Sequence, residues 1–188
     1  VRHVGTIGGS IAHADPAGDM GTVMLALGAS FVVRGAGGAS RTVAASDFFK
    51  GLFEPDLAAN EVLTEIRVPQ TTGGWSYLKF HRRAIDWAMV GVAAVQRNGS
   101  ASVALTNMGE TPLRAAGVEE ALAGGADPAT AAARADEGTA PPSDASVRSG
   151  DAPSDLREVR GDPEGGRDRP PDRRPGRGQV DPGVLQHQ

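Results

Sequence analysis

Apolar and polar positions follow two periods along the chain up to about Gly125. Met20, Val23, Met24 and Leu27 recur at three- and four-residue steps, the spacing of one helix face. Asp15 and Pro16 stand before them as N-cap and first helical residue, and Gly28 stands after them as a stop. Short runs of strand character follow: 31–33, a turn over 35–38, and a returning partner at 42–44. Residues 47–49 predict a helical turn with Ser46 or Asp47 as cap. Strands are expected over 62–68, closed by Pro69, and over 75–80. Those expected over 87–95 and 101–105 flank Arg97-Asn98-Gly99-Ser100, a hairpin signal because Asn-Gly tolerates the positive φ of a type I′ turn. Residues 118–122 and 128–135 read as helices, the latter mainly from alanine content. A helix, then antiparallel strands, then helices make an α+β fold. Beyond about Glu137 the aliphatic period ends, and a tail rich in Asp, Arg, Pro and Gly is expected to be disordered.

Composition narrows the function. The formal charge of −4 argues against a dedicated nucleic-acid binder, which carries a basic surface. In the tail, Asp151, Asp155, Asp162, Glu164, Asp168 and Asp172 offset much of the arginine charge. The chain has no cysteine, which excludes disulfides, thiolate zinc sites and cysteine nucleophiles, and puts any iron–sulfur cluster on another chain. No apolar run reaches the roughly 20 residues that span a bilayer. No signal peptide opens the chain, so a cytoplasmic location is expected. The sequence starts at Val1 in what reads as the middle of an element, so a longer parent protein is expected.

The chemistry concentrates in Gly5-Thr6-Ile7-Gly8-Gly9-Ser10. Adjacent glycines let backbone approach an anion without Cβ interference, and successive amides can form a nest for phosphate. Thr6 and Ser10 can add hydroxyl donors. The spacing is neither a Rossmann fingerprint nor a P-loop, which would need a lysine. On this segment alone, a tight turn that binds nothing is the commoner outcome. His3, His13 and His81 lack the spacing of a metal site.

The longer run from Gly5 to Asp19 closely resembles the second flavin-binding loop of the FAD-binding (medium) subunits of molybdenum hydroxylases, the family of aerobic carbon monoxide dehydrogenase and xanthine dehydrogenase. Four further segments resemble the family in order. They are Phe48-Phe49-Lys50-Gly51, the strand from Glu61 to Pro69, Tyr77-Leu78-Lys79-Phe80-His81-Arg82-Arg83 with Asp86-Trp87-Ala88, and Thr111-Pro112-Leu113-Arg114-Ala115 with Glu119 to Gly124. The resemblance implies part of a PCMH-type FAD-binding domain over 1–98, a partial flavoprotein C-terminal domain over 99–136, and a tail over 137–188.

It also implies residue roles. Thr6, Ile7, Gly8, Gly9 and Ser10 would contact the FAD diphosphate. Asp19 would hydrogen-bond the cofactor, Leu63 would be an apolar contact, and Lys79 would stand beside it, with Tyr77 near the ring. Read without the family, Asp19 is a first-turn acid, Leu63 a core strand residue and Lys79 a strand-edge charge. The implied partners are a molybdopterin-binding large subunit and a [2Fe–2S] small subunit. Electrons would pass through FAD to an external acceptor. The family's earlier glycine-rich flavin loop does not lie within this sequence. From Ala145 onward the residues depart from the family pattern, as a frameshift in a GC-rich gene would produce. A truncated, non-catalytic flavoprotein remnant without FAD is the alternative reading.

Overall fold

Thr6 opens the first helix. In the computed structural model, which describes residues 4–83, 86–97 and 99–142, helix α1 spans Ile7–His13. The Thr6 side chain caps it by accepting from the Gly9 amide at 3.0 Å. The glycine segment is therefore the first turn of a helix rather than a loop. The helix stops at Ala14, a left-handed residue with φ 53°. Asp15 then accepts from the Ala17 amide at 2.9 Å, an Asx turn around Pro16. Helix α2 starts only at Asp19 and runs to Ala26, with Gly18 at its N-cap. The expected cap at Asp15 and first helical residue at Pro16 are thus corrected: both belong to the turn between two helices. The expected stop holds. Gly28 has φ 60°. Its amide bonds the Leu25 carbonyl and the Ala29 amide bonds that of Met24, the two bonds of a Schellman motif.

Strand β1 (Ser30–Gly35) lies at the centre of a three-stranded antiparallel sheet, between β2 (Ser40–Ala44) and β5 (Glu61–Arg67). Between β2 and β5 come a short helix α3 (Ala45–Phe48) and the two-stranded pair β3 (Phe49–Gly51) and β4 (Glu54–Pro55). Neither Ser46 nor Asp47 caps α3; Ala44 holds that position without a side-chain bond. The β1–β5 register shifts between Val32 and Val33, leaving Thr64 opposite no residue. The Thr64 hydroxyl donates to the Val32 carbonyl at 3.1 Å. This bulge brings Leu63 and Ile66 against the same core cluster although they are three residues apart. Phe31, Phe48, Ile11 and Val33 are its largest fully buried members, with Phe31 and Phe48 edge to face at 4.7 Å.

A four-stranded antiparallel sheet follows, in the order β6 (Trp75–Phe80), β7 (Val90–Arg97), β8 (Ser100–Thr106), β9 (Leu113–Arg114). The β7–β8 hairpin closes with Arg97 opposite Ser100, as expected, and Gly99 has φ 82°. Asn98 lies outside the described residues. Strand β7 begins at Val90 rather than 87; the Ala88 and Met89 carbonyls accept from the Asn107 side chain, and the Met89 amide donates to the Phe80 carbonyl at the end of β6. Helices α4 (Ala116–Ala123) and α5 (Pro128–Ala132) follow, α4 packed on β8 through Val103, Leu105 and Val118.

Helix α2 is gripped from two sides. Met24 packs into the first sheet's cluster, while Leu25 and Ala26 pack on Ala93, Val95 and Ala104 of the second sheet. Its carboxyl end is held by the guanidinium of Arg97, which donates to the Ala26 and Leu27 carbonyls, and by Ser102, which donates to Ala26 at 2.8 Å. Strands β7 and β8, which stand on either side of the division expected between 98 and 99, pair with each other. The disordered tail expected beyond Glu137 lies outside the described residues from 143 onward.

Candidate flavin site

Two groups of side chains coincide with the expected site. The first is a groove of about 340 Å3 lined by Thr6, Gly8, Gly9 and Ala12 of the α1 region and by Leu57, Glu61, Val62 and Leu63. Its size falls within the range usual for cofactor sites, about 300–1,000 Å3. In the first turn of α1, the amides of Ile7 and Gly8 have no helical partner, while Thr6 satisfies that of Gly9. A Cβ at Gly8 would meet no protein atom within 4 Å, so the backbone there faces open space. A Cβ at Gly9 would press on the Thr6 hydroxyl oxygen at 2.9 Å. The residues therefore fit a dinucleotide diphosphate: free amides, an open approach and an apolar wall from Leu63. Ile7 and Ser10 are exposed beside the groove without lining it.

Glu61 would repel an anion there, and Arg41 offsets it. The Arg41 guanidinium donates to both Glu61 carboxylate oxygens, at 2.9 and 2.7 Å, and to the Asp56 side chain at 2.7 Å. The Ala58 amide also donates to Glu61 at 2.9 Å. Arg41 first, then Ala58, hold the Glu61 carboxyl down at about 2, well below the usual range. The same bonds tie the 56–58 loop, with Leu57, to the groove wall.

The second group pairs residues far apart in sequence. The Lys79 ammonium donates to one oxygen of Asp19 at 3.0 Å, and the Tyr77 hydroxyl donates to the other at 2.7 Å. Neither Asp19 nor Lys79 is the lone solvated charge that each is when read alone. Tyr77 also stands 3.4 Å from the Thr106 hydroxyl, which donates to Thr22 at 2.8 Å. Burial first, and the Asp19 charge, push the Tyr77 phenol well above its ordinary value, so it stays a donor. No hydrogen bond among the described residues joins this group to the groove. Asp15 and Asp19 do not share a helix face, since only Asp19 belongs to α2. His13 packs its ring on Phe53 at 5.1 Å. Among the described residues no group of His, Asp or Glu could hold a metal.

Sequence reasoning missed Thr22, Thr106, Arg41 and Gly91. Gly91 carried a legible signal, a lone glycine inside a strand pattern, which marks a close approach. The threonines carried none. A larger concavity of about 450 Å3, between strands β6–β8 and the end of α4, has no titratable side chain on its walls and offers a cofactor little polar purchase.

Comparison with known proteins defines the class. Residues 1–71 match the FAD binding domain in molybdopterin dehydrogenase, and residues 75–150 match the CO dehydrogenase flavoprotein C-terminal domain. The two matches meet where β5 ends and β6 begins. The carbon monoxide dehydrogenase medium chain of Hydrogenophaga pseudoflava is 45% identical over 132 residues, covering 66% of this chain and 45% of that one. The glyceraldehyde dehydrogenase medium chain of Sulfolobus acidocaldarius is 42% identical over 130 residues, covering 66% and 46%. The solved carbon monoxide dehydrogenase of Hydrogenophaga pseudoflava superposes with a TM-score of 0.70 at 42% identity, covering 76% of this chain and 53% of its own. The chain belongs to the FAD-binding (medium) subunit family of the molybdenum hydroxylases. It spans about half the length of the relatives it matches.

Proposed function

We propose that this chain holds part of the FAD site of a molybdenum hydroxylase and relays electrons through it. The observation that carries the reading is the groove in which the first turn of α1 faces Leu63, inside the stretch that matches the FAD binding domain. The Ile7 and Gly8 amides would hold diphosphate oxygens, and the bare backbone at Gly8 leaves their approach open. The Thr6 hydroxyl would add a donor from the groove's lining, and the exposed Ser10 hydroxyl one from beside it. Leu63 supplies the apolar wall. Arg41 cancels the Glu61 charge that would otherwise repel the phosphates. Lys79 presents a cation and Asp19 orients it.

When bound, FAD supplies the redox chemistry that links one-electron iron–sulfur centres to an external acceptor. In this reading the clusters belong to a [2Fe–2S] small subunit; the 188 residues themselves include no cysteine that could ligate one. The electrons originate at a molybdopterin-binding large subunit. This chain does not choose the substrate: relatives named for carbon monoxide and for glyceraldehyde match it about equally well. No helix among the described residues is long and apolar enough to cross a membrane.

Titrating the full chain with FAD tests the proposal. Saturable quenching of flavin fluorescence, at a one-to-one ratio, is the expected result. A chain that leaves flavin emission unchanged at any concentration refutes it.

A further inference from the structure

We propose that Tyr77 is a positioning residue of the flavin site: it fixes the Asp19 carboxylate, which in turn aims the Lys79 ammonium, and Gly91 makes room for the arrangement. The inference rests on the functional reading above and deepens it.

A proton inventory gives the direction of the hydrogen bonds. Each hydroxyl has one proton, and an ionised carboxylate only accepts. Thr22, fully buried, donates to the Leu105 carbonyl at 3.3 Å. Thr106, also fully buried, donates to Thr22 at 2.8 Å. The Tyr77 proton is then committed to Asp19 at 2.7 Å, and its 3.4 Å approach to Thr106 is a weak secondary contact.

Asp19 is thus held by two unequal partners. The Tyr77 ring packs against the cluster of Leu25, Ala26, Ala93, Val95 and Ala104, and has only two side-chain torsions. Lys79 is a flexible stem bearing a point charge. The stiff, rooted partner decides where the carboxylate sits, and the flexible one follows it. The arrangement needs a vacant space on β7. Gly91 lies opposite Lys79 on one side and Thr106 on the other. A Cβ there would stand 2.7 Å from the Tyr77 hydroxyl and 2.7 Å from that of Thr106. Packing alone would be served equally by phenylalanine, which needs no such gap beside its ring tip.

Tyr77 is the sole tyrosine of the chain, so the phenolate absorbance of the flavin-free protein reports it alone. It should titrate above the ordinary value of about 10, and Asp19→Asn should lower its midpoint. Identical midpoints in the two proteins overturn the anchor. In FAD titrations, Tyr77→Phe should weaken binding about five- to tenfold, less than the roughly ten- to hundredfold loss of a hydrogen bond made directly to a charged group, because Tyr77 acts through Asp19 and Lys79. In the Asp19→Asn background it should weaken binding no further, because the two residues act as one unit. Unchanged affinity in Tyr77→Phe, or losses that simply add, overturn the positioning role while leaving the flavin reading intact. A parent chain that binds no FAD overturns the flavin reading, and the role assigned to Tyr77 falls with it.

Discussion

Gly8 is the residue where stability and binding should pull in opposite directions. It is the second residue of α1, and glycine inside a helix costs roughly 0.5–1 kcal/mol against alanine through its backbone entropy. Nothing in the fold requires that cost, since a methyl at Gly8 meets no protein atom within 4 Å. Gly8→Ala should therefore stabilise the chain by about 0.5 kcal/mol, toward the low end because the position is near a helix terminus. The same methyl projects into open space at the groove that Gly8 borders with Thr6, Gly9 and Leu63. There it holds a phosphate oxygen away from the free amides. Loss of one hydrogen bond to a charged group costs about 1.5–3 kcal/mol, roughly ten- to a hundredfold in the dissociation constant. Thermal unfolding followed by circular dichroism reads the first effect, and flavin fluorescence reads the second. A Gly8→Ala chain that melts higher but binds FAD as tightly as its parent refutes the groove as the diphosphate site. One that melts lower shows that the space is not open, which refutes the steric argument itself.

Other consequences follow from the same geometry. Glu61, lowered from 4.5 to about 2 by its bonds from Arg41 and Ala58, stabilises the fold fully above pH about 4.5 and loses that contribution as pH falls towards 2. Urea unfolding across that window should show a steeper acid loss in the parent than in Glu61→Gln; equal slopes would show that the bonds do not persist in solution. Phe31→Ala removes a fully buried ring from the first sheet's core and should cost about 3–5 kcal/mol in chemical denaturation; a loss under 1 kcal/mol would contradict that burial. Gly28→Ala forces a Cβ into φ 60° and places it 3.3 Å from the Arg97 guanidinium. It should destabilise by about 1–2 kcal/mol, and a neutral result would mean that α2 does not end in the left-handed cap.

Much was legible before any coordinates. The apolar spacing of Met20, Val23, Met24 and Leu27 announced α2, and Gly28 its end, because helix period and left-handed caps are local properties. The β7–β8 hairpin was legible for the same reason: its turn is made by residues adjacent in sequence. Clustered glycines and hydroxyls singled out the segment from Thr6 to Ser10, of which the structure brings Thr6, Gly8 and Gly9 to one groove with Leu63. The tertiary structure decided the rest. It made a helix, α1, of the glycine segment expected to be a loop, and it delayed the start of α2 to Asp19, because Ala14 adopts a left-handed conformation and Asp15 spends its carboxylate on a turn. It turned Leu63 and Ile66 to one core through a bulge, whose position depends on the neighbouring strand. It also joined Asp19 to Lys79 and Tyr77, partners separated by about sixty residues. Such a bond forms only when β6 is laid against the start of α2, and that placement comes from the burial of Leu25 and Ala26 on the second sheet. Local chemistry is written in neighbouring residues, whereas contacts between distant charges exist only once packing has brought their elements together.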